Sequence, residues 1–484
     1  MSFPKPQLSL LAFVFLVPLL LALEGKKPGA VFRIVFCFSA VSYLIILYWI
    51  PRVMVRYGGT SWPLGIIGLV CLAAYLSLIS GLAGIGIGKI TAAGVDYWAV
   101  LWVPALWIAK DLATEKIFGG FPWCLAGYSQ FKNIYFVQPA EIGGIHLVTF
   151  LVIAVNVLIF KAIRTRDGKP LLALLALVAV IYVGGYGLLK NHDVHSVSIP
   201  RHRAGIIQPD SDHDQAYDFN LIRATLERLF RTSRQLKQGG AEFVAWPEFT
   251  VPIYPLQTPY FKEQFLAFSR EYAPLLAGFT DYGGKDNVFN SAMLFQGGAT
   301  EKYDKVHLTP FGEYVLFRRW LFFVKKITDE IGDFTPGERI HNLDLAGHPL
   351  STPICYEVIY PELVRAMIAR GGELIVTLSN DSWFGASSAP YQHLAMAVFR
   401  SIENRRWLLR STSNGISAVV DPAGRIIHQS PLHRPDQFIA SFQYLKQKTI
   451  FTRWGYLFPY ACLLLALAKL LWPLAGKLSR RRRP

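Results

Sequence analysis

Seven apolar runs, each approaching the length of a bilayer crossing, organise the chain: approximately residues 8–23, 31–50, 62–88, 95–109, 144–160 and 171–189, then 455–476 near the C-terminus. A helix needs about 20 apolar residues to cross the hydrocarbon of a bilayer, so each run predicts a membrane helix, the first and fourth being short. Between the sixth and seventh runs the pattern changes, and short β-rich stretches alternate with helical spacing. HRAGIIQ, AEFVAWPE, PLLAGFT, NSAMLFQ, STPICYE, GELIVTLSN and GISAVVD are predicted strands. Most are continuous apolar runs, as in strands buried between layers. Helices are predicted over 216–237, over 361–370, where Pro361 suits a first turn and Gly371 a stop, and over 390–408. The expected organisation is a multi-pass α-helical membrane domain over 1–195, a layered α/β domain over 196–450, and a C-terminal membrane helix with a basic tail over 451–484.

Composition agrees with membrane insertion: 52% of the 484 residues are hydrophobic and the mean hydropathy is +0.32. A net charge of +16 would suit nucleic acid, but the basic residues cluster in short loops between apolar runs, where they set orientation, and no nucleic-acid motif is present. Lys26, Lys27 and Arg33, then Lys89, then Lys161, Arg164, Arg166 and Lys169, and finally Arg480 to Arg483 fall on one side. The positive-inside rule makes that side the cytoplasm. Region 196–450 then faces outward, with the C-terminus cytoplasmic and the N-terminus on the outer side. The first run contains Pro18 and no cleavage-site pattern, so it is expected to stay as a membrane segment. The cysteines, Cys37, Cys71, Cys124, Cys355 and Cys462, show no metal-ligand spacing and imply no disulfide framework. No P-loop, Rossmann fingerprint or metal-spaced cluster occurs, so no metal or nucleotide cofactor is expected.

Three segments of the polar region carry candidate chemistry. In AWPEFTVP (245–252), Glu248 is either a solvated strand-end acid or a carboxylate buried against aromatics and raised toward general-base duty. KYDKVHLTPFGEYV (302–315) gathers Lys302, Lys305, His307 and Glu313. Lysines are mostly solvated, yet one fixed beside a reacting carbonyl stabilises the oxyanion that forms. In PICYEVIYPELVR (353–365), Cys355 stands where a strand gives way to a helix. It is either an inert buried thiol or an exposed nucleophile whose thiolate the helix dipole favours. His307 and His393 leave room for a Cys–His dyad, or serve as packing and capping residues.

Glu248, Lys305 and Cys355, each at the end of a predicted strand, resemble the Glu-Lys-Cys triad of the nitrilase superfamily. With the membrane runs added, the chain resembles the apolipoprotein N-acyltransferase family, on AAYLSL (73–78), GFPWCLAGYSQ (120–130), KVHLTPFGEYV (305–315), ICYE (354–357), SNDSWFG (379–385) and RSTSNGISAVVDPAGRI (410–426). The resemblance implies an αββα sandwich fused to membrane helices and residing in the bacterial cytoplasmic membrane with its catalytic domain on the periplasmic face. It implies Glu248 as base, Lys305 at the oxyanion and Cys355 as acyl carrier, supported by Glu313, Tyr356 and Glu357. The implied reaction moves an acyl group from a phospholipid through a thioester to the diacylglyceryl-cysteine of an apolipoprotein, with membrane lipid as a further partner. Phe118, Phe121 and Trp123 are candidates for a lipid contact or for plain interfacial anchoring. Two features depart from the family pattern. Tyr217 stands where a tryptophan is usual, and the family has one span more than the seven found here. MSFPKP resembles the turn after the family's first helix, so that helix is expected to be absent or the start assigned late. Rival expectations are a membrane-anchored amidohydrolase using the same triad and a catalytically silent membrane scaffold.

Overall fold

The computed structural model describes residues 2–56, 58–92, 98–191, 201–211, 219–284, 287–314 and 334–481. They form two compact units, one of residues 1–50, 66–191 and 454–484 and the other of residues 51–65 and 192–453.

The first unit is helical. Its elements are α1 (Val17–Leu23), α2 (Pro28–Ile46), α4 (Trp62–Ala92), α5 (Ala99–Lys116), α6 (Ala140–Thr165), α7 (Gly168–Asn191) and the C-terminal helix Leu457–Arg481; the short α3 (Ile50–Arg56) lies between α2 and α4 in sequence. Four helices, Pro28–Ile46, Trp62–Thr91, Ala140–Thr165 and Gly168–Asn191, are long and apolar enough to cross a bilayer, and Ser9–Leu23 and Leu457–Leu471 are shorter apolar segments. The protein is therefore a membrane protein. The first predicted run, 8–23, is not one helix: a 3-10 turn, Ser9–Phe13, precedes α1. The break leaves backbone groups that water cannot satisfy in an apolar setting, and Asn156 of α6 takes them up. Its Nδ2 donates to Ala12 O at 2.8 Å and its Oδ1 accepts from Leu16 N at 2.9 Å. The fourth run becomes α5, which extends to Lys116 and buries Lys110, Asp111 and Glu115. Lys110 pairs with Asp111, and Tyr456 of the C-terminal segment donates to Glu115 at 2.7 Å, so these charges have partners in the low-dielectric interior.

The second unit alternates strands and helices: β1 (His202–Gln208), α8 (Phe219–Gln238), β2 (Phe243–Ala245), α9 (Pro259–Glu271), β3 (Leu275–Tyr282), β4 (Val288–Gln296), β5 (Ala299–Asp304), β6 (Leu343–Leu345), β7 (His348–Ser351), α10 (Pro361–Ala369), β8 (Leu374–Ser379), α11 (Ala389–Asn404), β9 (Leu408–Thr412), β10 (Ala418–Val420), β11 (Ile426–Gln429) and β12 (Asp436–Phe442). Among the described residues they make two six-stranded sheets, ordered β12-β1-β2-β3-β4-β5 and β11-β10-β9-β8-β7-β6. In each, three central strands run parallel, β1-β2-β3 and β7-β8-β9, and the flanking pairs are antiparallel. The sheets face each other: Ser411 Oγ of β9 donates to Ile207 O of β1 at 2.9 Å, and Thr412 Oγ1 donates to Gln208 Oε1 at 2.9 Å. Helices α8 and α9 cover the outside of the first sheet, α10 and α11 that of the second. This is the αββα sandwich of the nitrilase superfamily.

Apolar periodicity explains the outer layers. Leu226, Leu229, Phe230 and Leu236 lie on one face of α8 and pack with Phe265 of α9 on Val244 and Trp246. Burying each such side chain is worth about 1.5–3 kcal/mol. Two predicted boundaries moved. STPICYE is not one strand, because β7 stops at Ser351 and Cys355–Ile359 is a 3-10 turn. The helix predicted over 390–408 ends at Asn404, where Arg405 enters the left-handed region at φ 50°, and the stretch that follows is β9.

Candidate active site

Each candidate residue follows a strand end. Pro247 and Glu248 extend β2, and a Cβ on Gly278 of β3 would lie 2.6 Å from Glu248 Cα, so only glycine lets the two backbones meet there. Lys305 directly follows β5 of the same sheet. Cys355 opens the 3-10 turn after β7 with φ 48°. A non-glycine residue held in that region costs energy that the surrounding structure must offset, and such positions cluster at working sites.

The three side chains meet in a closed hydrogen-bonded cluster. Glu248, Lys305 and Glu313 are buried, and Cys355 is 8% exposed. Lys305 Nζ lies 3.6 Å from Glu248 Oε1 and 2.8 Å from Glu313 Oε2. Asn290 Nδ2 of β4 donates to both carboxylates, at 2.8 Å to Glu248 Oε1 and 2.6 Å to Glu313 Oε1. The other Glu248 oxygen, Oε2, accepts from Asn380 N at 2.8 Å, and the carboxylate interacts electrostatically with the Cys355 thiol. Glu313 is held in turn by Thr309 N at 2.7 Å.

Electrostatics assigns different charge states. Burial raises Glu248, Lys305 opposes the shift and Glu313 adds to it. The direction suits a base that takes a proton near neutrality. Burial would depress Lys305, but Glu313 and Glu248 overcome it and hold the ammonium above its usual value. Burial and then the Glu248 charge push the Cys355 thiol well up, with Lys305 opposing. This corrects the expectation that a helix dipole favours thiolate at rest. The turn after Cys355 is only five residues of 3-10 helix, and burial is the largest cause of the upward shift, with the Glu248 charge next.

Glu357 ties the cysteine turn to the lysine turn. Its Oε1 accepts from Val306 N at 2.8 Å, His307 N at 3.0 Å and Tyr303 OH at 2.8 Å, while Oε2 accepts from Ile354 N at 2.8 Å. Burial pushes its carboxyl up to about 7 against the pull of these donors. Tyr356 is buried and packs edge-on against Tyr360, 5.4 Å between ring centres.

The other candidates separate. Lys302 points away, its Nζ 2.6 Å from Asp281 and 3.1 Å from Asp304. His307 packs over Tyr360 at 3.8 Å. His393 reaches the carbonyl of Cys355, Nε2 to O 3.2 Å, so it braces the turn. In the first unit Phe118 is exposed, while Trp123 is buried between Trp49 at 5.1 Å and Phe121 at 5.9 Å. Tyr217 lies outside the described residues.

Sequence reasoning gave no role to Asn290, Ser379, Asp381 or Arg410. Asn290 opens the predicted strand NSAMLFQ beside Ser291, where a polar pair at a strand start carries no signal of its own. Ser379 and Asp381 stand in SNDSWFG and Arg410 opens RSTSNG, motifs visible as strings whose partners only folding supplies. Arg410 Nη2 donates to Asp381 Oδ2 at 2.8 Å and Oδ1 at 3.0 Å and lies 3.0 Å from His393 Nδ1. Burial would raise Asp381, but Arg410 and His393 hold its carboxyl well below the usual range. His393 Nδ1 also lies 3.2 Å from Asp381 Oδ1, so its ring sits between the Asp381–Arg410 pair and the carbonyl of Cys355.

Residues 1–158 match the apolipoprotein N-acyltransferase N-terminal domain, and residues 203–443 match the carbon-nitrogen hydrolase family. A Geobacter metallireducens protein named apolipoprotein N-acyltransferase is 33% identical, covering 96% of this chain and 90% of its own. One of the same name from Methylococcus capsulatus is 30% identical, covering 92% and 88%. Among solved structures, an amidase from Nesterenkonia sp. aligns at a TM-score of 0.40 and 20% identity, covering 51% of this chain and 94% of that one.

Proposed function

This chain belongs to the apolipoprotein N-acyltransferase family, and from that premise we propose that it N-acylates lipoproteins in two steps through a thioester on Cys355. It is an acyltransferase of a membrane setting with a nitrilase-type catalytic unit. The observation that carries the mechanism is the buried cluster of Glu248 and Lys305, 3.6 Å apart, with the Cys355 thiol interacting electrostatically with both.

In the first step the Cys355 sulfur attacks the ester carbonyl of a phospholipid while Glu248 takes the thiol proton. A thiol that is neutral at rest needs such a base at the moment of attack. The oxyanion faces Lys305, whose ammonium stays charged because Glu313 and Glu248 hold it so. The S–C bond forms, the ester C–O bond breaks, and the lysophospholipid alkoxide leaves with the proton from Glu248. In the second step the α-amine of a diacylglyceryl-cysteine attacks the thioester. The N–C bond forms, sulfur departs, and the amine proton returns to it by way of Glu248. Asn290 and Glu357 hold the geometry: Asn290 spans both carboxylates, and Glu357 fixes the lysine turn to the cysteine turn. Both substrates keep their acyl chains in lipid, where each buried methylene is worth about 0.8 kcal/mol. A catalytic unit fused to membrane helices meets them there. The catalytic unit faces the periplasm, with the C-terminus cytoplasmic, on the distribution of lysine and arginine among the loops.

The test is the mass of the Cys355 peptide after purified protein is incubated with phospholipid and no amine. An acyl adduct that hydroxylamine removes, and that a diacylglyceryl-cysteine peptide discharges as amide, is expected. An unmodified Cys355 in folded protein would sink the thioester mechanism. An adduct lost to water as fast as to the peptide would mark an amidohydrolase instead.

A further inference from the structure

We propose that Ser379 is a further catalytic residue, a hydroxyl that gives its one proton to Asp381 while the Cys355 sulfur is neutral or acylated and turns it to the sulfur when negative charge develops there. Ser379 ends β8, fully buried, and its Oγ has two acceptors in reach: Cys355 Sγ at 3.3 Å and Asp381 Oδ1 at 2.8 Å. A hydroxyl has one proton to donate, so it serves one acceptor at a time. Against a thiol or thioester sulfur, a weak acceptor, the ionised Asp381 wins by charge and by distance.

Against a thiolate the balance changes, because both acceptors are then anions. Asp381 still keeps the buried Arg410 guanidinium beside it, with Nη2 at 2.8 Å from Oδ2, so losing Ser379 costs it little, while the sulfur gains a donor. Arg410 Nη2 also lies 3.3 Å from Ser379 Oγ, and its positive charge beside the oxygen polarises the hydroxyl. Two supports fix the sulfur relative to this oxygen: His393 Nε2 braces Cys355 O, and Asp381 is itself seated against Gly415, where any Cβ would come within 2.3 Å of Oδ2. Asp381, Arg410 and His393 are therefore positioning residues, and Ser379 alone touches the reacting atom. The adjacent Asn380 N–H holds Glu248 at 2.8 Å, so a single turn sets the donor to the nucleophile and the seat of the base.

No proton is transferred from Ser379 in either step. In the forward step the thiol proton goes to Glu248 while the hydroxyl turns to meet the charge on sulfur. In the second step sulfur leaves the tetrahedral intermediate bearing charge, and the same hydroxyl receives it until Glu248 returns a proton. The device matters most there, since a thiolate is then the leaving group.

This inference rests on the thioester reading, but its test does not require the thioester. Alkylation of Cys355 by iodoacetamide is followed across pH in the full-length detergent-solubilised protein by peptide mass, with Cys37 and Cys71 as internal references. A hydrogen bond to a charged group is worth about 1.5–3 kcal/mol, so Ser379→Ala is expected to move the Cys355 curve upward by about one pH unit or more and slow it at least about tenfold at fixed pH. Thermal denaturation should change little, and Ser379→Thr should restore the wild-type curve. Should the alanine variant not fold, Ser379→Gly gives the same readout. A variant curve lying on the wild-type curve, or shifted to lower pH, overturns the proposal. If the curve shifts as expected but no acyl adduct forms on wild-type protein, the thioester reading falls and the hydroxyl's role toward the thiolate stands.

Discussion

At the residue scale the site separates two jobs that share one chemistry, keeping a nucleophile safe and making it reactive. Burial and Glu248 push the Cys355 thiol up; in the proposed mechanism the same Glu248 then removes its proton when a carbonyl is present. The two roles predict opposite effects of one substitution. Above its raised pKa the sulfur is thiolate, so direct alkylation of wild-type Cys355 should rise at higher pH than the ordinary thiol value of about 8.5. Glu248→Gln removes the charge that, after burial, raises the thiol most. Its alkylation curve should move to lower pH while acyl transfer falls by about 10²–10⁴ for loss of the base. Peptide mass and a lipopeptide acylation assay read the two effects. Alkylation and transfer falling together would mean that Glu248 only supports the fold. Which lysine serves was not legible from spacing: Lys302 and Lys305 are near-equivalent in sequence, and only the ion pairs of Lys302 with Asp281 and Asp304 remove it. Resemblance had already favoured Lys305.

At the element scale, α9 and five of the strands, β5, β6, β9, β11 and β12, went unread, and the reason differs among them. Strand β5 is an edge strand with alternating exposure, and β6 has three residues, too little apolar contrast for a pattern to register. Strand β9 is wholly buried, yet three of its five residues are Arg410, Ser411 and Thr412, so it offers no apolar run to read, and the helix predicted over 390–408 reaches its first residue. Helix α9 matters energetically. Its Phe265 is fully buried, with ring centres 4.8 Å from Phe295, 5.2 Å from Phe279, 5.3 Å from Phe230 and 5.7 Å from Trp246. Phe265→Ala should cost the second unit about 3–5 kcal/mol through lost burial and the cavity left behind. Thermal denaturation followed by proteolysis of 203–443 checks this; an unchanged midpoint would mean that the cluster collapses around the gap or carries little of the stability.

At the scale of the whole molecule, the proposed function asks for a catalytic unit joined to membrane helices so that both substrates remain in lipid. The loop charges predict its side of the membrane. With an impermeant maleimide on intact cells, Glu271→Cys in the second unit should label and Lys27→Cys in the loop before α2 should label only after lysis. The reverse pattern would overturn the orientation. Apolar runs placed the helices well, yet among the described residues four qualify as long apolar helices. A run reports how much apolar sequence there is; whether its backbone stays helical depends on partners such as Asn156 that complete a broken stretch from the far end of the unit.

The sequence by itself determined the two-part plan, the order of most strands and the three residues on which acyl transfer is proposed to turn. Those are properties of neighbours along the chain: apolar length, strand periodicity and motif strings. Tertiary structure alone decided the upward shift of the Cys355 thiol, the bridging of two carboxylates by Asn290, and the set of Ser379, Asp381, His393 and Arg410 behind the nucleophile. A proton's position and a hydrogen bond's partner are fixed over about 3 Å, between groups far apart in sequence, and no local pattern encodes that distance.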